Sequence, residues 1–251
     1  VGIMMTPDAP LFAAWAGSLY FLDRSLVARQ SKAWWGVGAC LGLGILSKYT
    51  IALLGPTTLL FILFHRPSRC WMKRPQPYLA ALVPLSLFMP EIVWNANHGW
   101  ASFEFQGSRR WSGSSGFSLH ELVGSMLLLL TPLGLIGIVS ALATKHTSGD
   151  CEQDQRLAAQ SLFARIFTLA PLSVFVLQSL RNDSQLNWTG PLWLAAIPIL
   201  ASCMVPGREQ LRNWGTLLCY RLWRPSIAAL IVFYGTGLYY VHLGFPGLPA
   251  Q

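Results

Sequence analysis

AWWGVGACLGLGILSKYTIALLGPTTLLFILF, residues 33–64, is an apolar run of 32 residues broken by a single charge, Lys48. As one helix rising 1.5 Å per residue it would be about 48 Å long, against a bilayer hydrocarbon core of about 30 Å. Its flanks decide how it folds. Arg24, Arg29 and Lys32 precede it, and Arg66, Arg69, Lys73 and Arg74 follow it. Basic flanks collect on one side of a membrane, so the run must return to the side it left. It reads as two helices forming a hairpin with Lys48 at its tip.

Working outward, further apolar runs fall at about 9–22, 78–94, 119–143, 162–180, 188–205 and 226–243. With the hairpin's two arms they predict an all-α membrane protein, a polytopic bundle of about eight transmembrane helices forming one transmembrane domain over residues 1–251. Composition agrees: 53% of residues are hydrophobic and 11% charged. Soluble domains carry about 25% charged residues, so this surface suits lipid and not water. Alternating the spans outward from the hairpin puts 14 of the 18 basic residues on one side and Lys48, Arg109, Arg110 and Arg181 on the other. The richer side is the predicted inner face.

The formal net charge of +8 sits in short loops between apolar runs, where anionic lipid is the natural counterpart; membrane lipids are expected partners and nucleic acid is not. The five cysteines have no CxxC spacing, which points to neither zinc nor a disulfide framework, and His65, His146 and His242 have no second ligand nearby, so no metal or other cofactor is indicated. Asn182-Asp-Ser184 and Asn187-Trp-Thr189 match the glycosylation sequon, a short pattern that arises often by chance. The chain opens on Val1 with no signal peptide before its first apolar run, and is expected to be the C-terminal part of something longer.

The scarce outer-face residues are the informative ones. Asp8, in Thr6-Pro-Asp-Ala-Pro10, either complements a helix N-terminus, with Thr6 as cap and Pro7 at the first helical position, or lines a site. Lys48 either snorkels from the hairpin tip or binds an anion. Glu91, after Pro90, is a carboxylate near a helix end that needs a partner, structural or substrate. The stretch 94–106, WNANHGWASFEFQ, interleaves rings with amides, His98 and Glu104. Interface-belt aromatics account for Trp94 and Trp100, but less well for the polar residues between them; sugars are held by such mixtures of stacking faces and amides. Arg109 and Arg110 suit phosphate oxygens through paired hydrogen bonds, whether of a lipid headgroup or of a substrate.

Met4–Leu11 (MMTPDAPL), Gly42–Thr50 (GLGILSKYT) and Pro90–Gln106 (PEIVWNANHGWASFEFQ) with Arg109 and Arg110 behind it resemble bacterial members of glycosyltransferase family 39. This is the protein mannosyltransferase-like family that also holds the lipid A aminoarabinose transferases. Asn187–Leu200 (NWTGPLWLAAIPIL) agrees, so the resemblance runs to about residue 205. It implies a GT-C membrane bundle, here the C-terminal portion of a larger catalytic unit. Its active site would face the periplasm of a bacterial inner membrane and pass a sugar from a polyprenyl-phosphate donor to a lipid or protein hydroxyl. By resemblance Asp8 is a catalytic carboxylate lining the site. Lys48, Arg109 and Arg110 hold the donor phosphate, and Glu91, His98, Trp100 and Glu104 line the substrate pocket. The family's leading acidic motif would lie upstream of Val1, so these residues alone are expected to be inactive.

Two other classes compete. A transporter or flippase for a lipid-linked sugar would keep ionisable groups near the membrane midplane, often in repeated halves; here they collect at one boundary and no repeat is visible. A non-catalytic scaffold leaves the grouping of Asp8, Lys48 and Arg109 unexplained.

Overall fold

The computed structural model describes residues 8–106, 117–144, 151–181, 188–204 and 214–243. Thr6, Pro7, Lys145, His146 and most of the two sequons fall outside them. Among the described residues all regular structure is helical: this is an all-α, polytopic membrane protein.

Helix α1 (Asp8–Leu26) has an acid in its first turn and Arg24 in its last, both favourable to the helix dipole. Helix α2 (Ala33–Ser47) returns alongside it and stops because Lys48 is fully extended (φ −159°, ψ 132°). A 3-10 turn, Tyr49–Leu53, leads into α3 (Leu54–Phe64). A second 3-10 segment, Arg66–Lys73, bends away from the Tyr49–Phe64 stretch by 118°.

The hairpin is present, with splayed arms. Trp34 at the start of α2 meets Trp71, beyond α3, edge to face at 5.6 Å. Ser68 donates its hydroxyl hydrogen to the Leu26 carbonyl (3.0 Å), so the two basic flanks do share one end. That hydrogen being spent, Ser68 Oγ accepts from His65 Nδ1 at 2.7 Å. The arms lean on different neighbours: α2 on α1 and α4, α3 on α7. Helix α4 (Gln76–Asn97) approaches α2 backbone to backbone, because a Cβ on Gly38 would stand 2.6 Å from the Ala80 carbonyl oxygen. Small residues allow such contact between helices in lipid.

The short α5 (Ala101–Gln106) follows α4. Helix α6 (Leu119–Ala143) kinks at Thr131 (φ 60°, ψ 158°) before Pro132. It pairs with α7 (Glu152–Ser179). The Ser118 amide donates to the Ser179 carbonyl at one end (2.9 Å), and at the other the Arg165 guanidinium caps the Leu142 and Thr144 carbonyls at 2.7 and 2.5 Å. Helix α9 (Trp214–Leu243) packs its first turns on α6 and leaves Ile231 to Phe233 about two-thirds exposed, a surface suited to lipid. The core joins Leu11, Trp15 and Leu22 of α1 to Phe61, Leu122, Phe167 and Leu192.

By length and composition four helices can cross a membrane alone: α4, α6, α7 and α9. The bent pair Tyr49–Phe64 with Arg66–Lys73 makes a fifth candidate. The other apolar runs are helical but differ from single spans for physical reasons. Helix α1 puts Asp8, Asp23 and Arg24 into 19 residues; α2, with 15 residues, reaches only about 22 Å. The run 188–205 forms a 3-10 turn (Pro191–Ala195) and the seven-residue α8 (Ile197–Cys203). Pro191 and Pro198 each lack the N–H that a continuous helix needs. With Leu192 and Ala196 fully buried, this segment wedges between α1 and α7.

Candidate functional site

The break at Lys48 creates the site. An α-helix reaching this point would carry the lysine on around its own cylinder; the extended residue instead sends its side chain across to the start of α1. There Lys48 Nζ donates to Asp8 Oδ1 at 2.9 Å. The contact spans 40 residues of sequence. The Asp8 side chain is 10% exposed and that of Lys48 22%, so the pair is withdrawn from solvent without being sealed.

One residue on, Tyr49 turns the other way. Its hydroxyl donates to Glu91 Oε1 at 2.9 Å, and the same oxygen accepts from Asn95 Nδ2 at 2.9 Å. Glu91 and Asn95 lie four apart on α4 and therefore share a face. Asn95 is fully buried and uses both ends of its amide: Nδ2 also donates to the Glu91 carbonyl (3.0 Å), and Oδ1 accepts from the Ser102 backbone amide (3.0 Å). That last bond ties the start of α5 to α4 across a turn in which Gly99 and Trp100 both have positive φ, 62° and 59°. Phe103 of α5 stacks on Tyr49 (5.9 Å, 18°), while Phe88 meets both rings edge-on. Lys48, Tyr49 and Glu91 line one cavity of about 360 Å³, with Ile45, Leu46, Ser47 and Phe88 completing its wall. A cation and a carboxylate thus face a shared space, with Asp8 behind the cation.

The structure therefore brings Asp8, Lys48 and Glu91 to one end of the bundle. It places His98 and Trp100 on the exposed α4–α5 turn and Glu104 in α5, none of them in the cavity wall. The His98 ring stacks on Trp94 at 4.2 Å and Nδ1 bonds the Trp94 carbonyl (2.8 Å). Trp100 reaches the site through Phe103, at 5.8 Å. The Glu104 backbone amide bonds the Trp100 carbonyl (2.8 Å), and its side chain is exposed. Arg109 and Arg110 lie outside the described residues. Among the described residues no group of three His, Cys, Asp or Glu side chains is placed to hold a metal ion.

Tyr49 and Asn95 were not among the predicted site residues. The four-residue spacing of Asn95 from Glu91 carried a detectable signal; the side to which Tyr49 turns depends on the backbone break and carried none. Asn95→Ala is expected to leave the Ser102 amide and Glu91 short of a partner, costing about 1–3 kcal/mol. The loss should be concentrated locally, as faster hydrogen exchange over 99–104 with α1 and α2 unchanged. Uniform protection throughout would show that Asn95 does not hold α5.

Residues 1–94, which contain Asp8, Lys48, Tyr49 and Glu91, match the family model described as dolichyl-phosphate-mannose-protein mannosyltransferase. The match covers 94 of the 251 residues and is a likeness to that family over the part of the chain that carries the site. No curated protein and no solved structure matches the chain.

Proposed function

We propose that this membrane glycosyltransferase-like protein transfers a sugar from a polyprenyl-phosphate donor to a lipid or protein hydroxyl, at the end of the bundle that carries Asp8 and Lys48. The observation that carries the reading is the 2.9 Å Asp8–Lys48 pair beside a cavity that also presents Glu91. It lies within the segment matched by the mannosyltransferase family.

The chemistry needs a group of each sign. The acceptor oxygen attacks the anomeric carbon while a carboxylate, assigned to Asp8, takes the hydroxyl proton. The bond from that carbon to the phosphate oxygen breaks with inversion, and its electrons leave on the polyprenyl phosphate. Lys48 stabilises that charge: an ammonium has three donors, one of which is on Asp8, and the lysine also lines the cavity. Arg109 and Arg110 add to phosphate binding. Glu91, held by Tyr49 and Asn95, presents a carboxylate to sugar hydroxyls, with His98, Trp100 and Glu104 at the pocket's outer rim.

Incubating the purified complete protein, with any residues that precede Val1 included, with a panel of polyprenyl-phosphate sugars and an acceptor should release one polyprenyl phosphate per glycoside formed. Movement of intact donor across a vesicle membrane, with no bond broken, would instead identify a transporter. We further assign this end to the periplasmic face of a bacterial inner membrane, because the basic residues gather at the other. An impermeant maleimide applied to intact cells should then label Ala101→Cys and spare Cys70, both of them exposed positions. Labelling of Cys70 from outside would invert the orientation.

A further inference from the structure

Far from Asp8, near the other end of α1, a second cavity of about 390 Å³ opens between α1, the first half of α7 and the 191–203 segment. Fifteen residues of helix separate Asp8 from Asp23 on its wall, about 22 Å along the axis, so it is not part of the transfer site. Most of the lining is hydrocarbon: Leu19 from α1, Leu157 and Phe163 from α7, Leu194 and Ile199 from the third wall. Ala16, Tyr20 and Ile197 of its lining are all exposed, and the wall they share with Leu157 and Phe163 belongs in part to α7, a helix long and apolar enough to cross a membrane. An opening on the flank of such a helix suits an occupant that arrives through lipid.

One end of the cavity is polar. Gln160 hydrogen-bonds to the Asp23 carboxylate, and the Arg156 and Arg24 charges both act on it; the Arg24 guanidinium lies 5.3 Å from the centre of the Tyr20 ring. Neither arginine is in the lining itself; the two cations lie beyond the polar end, within electrostatic reach of Asp23, and outnumber that one carboxylate. Deeper in, the Ser161 hydroxyl lines the cavity, is 3% exposed and has no hydrogen-bond partner. A buried hydroxyl without a partner is a standing cost, and an oxygen-bearing occupant would relieve it. Together these features describe an amphiphile with an apolar tail, an acceptor oxygen just below its head, and a negative head.

We propose that this cleft is a binding site for an anionic glycerophospholipid. One acyl chain fills the apolar part, the ester carbonyl accepts from Ser161, and the phosphate meets Arg24 and Arg156.

The test uses a phosphatidylglycerol bearing a diazirine in one acyl chain, mixed into phosphatidylcholine nanodiscs holding the protein. Adducts on α9 around Ile231–Phe233, an exposed apolar surface, report ordinary boundary lipid in the same sample. Adducts should concentrate on residues 157–164 and 194–202 relative to α9. Ala16→Phe, which blocks the mouth from an exposed position, should reduce that excess to the α9 level; Ile197→Trp, also at an exposed position, provides the same test if the first variant does not fold. Arg24→Gln and Arg156→Gln should each lower the excess about fivefold, and a phosphatidylcholine probe should show little of it. Equal labelling of cleft and α9, or an excess that survives both blocking variants, would overturn the site. Equal excess with the two headgroups would overturn the anionic assignment, and displacement of the probe by polyprenyl phosphate in preference to phosphatidylglycerol would reassign the cleft to the donor.

Discussion

Asp8→Asn in the complete protein is expected to lower sugar transfer by about 10²–10⁴-fold, the contribution of a positioned general base, without changing the amount of protein in the membrane. The substitution separates chemistry from structure. Asparagine has nearly the shape of aspartate, and its amide oxygen can still accept the Lys48 Nζ hydrogen bond made at 2.9 Å in the native protein. What it cannot do is take a proton from an acceptor hydroxyl. The charge-swapped variant, Asp8→Lys with Lys48→Asp, is the companion measurement: if the pair merely pins α1 to the hairpin tip, the swap should restore activity along with the fold. If Asp8 is the base, the swap should be inactive however well it folds. Near-normal transfer by Asp8→Asn would remove the carboxylate from the mechanism.

The bundle was legible because its strongest signals are one-dimensional. A 32-residue apolar run is too long for one span, and basic flanks on both sides require it to double back; Trp34 against Trp71 and Ser68 against Leu26 are that requirement realised in space. The 188–205 run misled for the opposite reason. Its apolarity reports burial, which lipid and a protein core provide equally well, and only Pro191 and Pro198 hinted that it would enter the core in pieces. At the site, Asp8 and Lys48 stood out as rare charges on one face, and charge bookkeeping could bring them to the same end. It could not foresee the extended backbone at Lys48. That break separates two consecutive side chains, one toward Asp8 and the other toward Glu91, and so determines that Tyr49 belongs to the site.

Lys48→Met is the other large effect expected. Methionine keeps the length and apolar stem of lysine while removing its charge, so the Asp8 carboxylate loses its ammonium partner and the departing phosphate loses a cation. Removing one such stabilising donor from a transferring centre costs about 10²–10³-fold in rate, and the donor KM should rise as well, since the phosphate is charged before and after the step. A stability loss accompanies it, because a carboxylate only 10% exposed is then deprived of a charged hydrogen bond worth about 1.5–3 kcal/mol. The two contributions separate through Lys48→Arg. Arginine restores a positive charge beside Asp8 and should recover expression and thermal stability. Its planar fork does not place its donors where a compact ammonium does, so transfer should recover only in part. Were Lys48 needed for the fold alone, Lys48→Arg would restore transfer in step with stability, and inorganic phosphate would inhibit wild-type and Lys48→Met proteins at the same concentration. With Lys48 on the donor phosphate, inhibition of the methionine variant should require distinctly more phosphate.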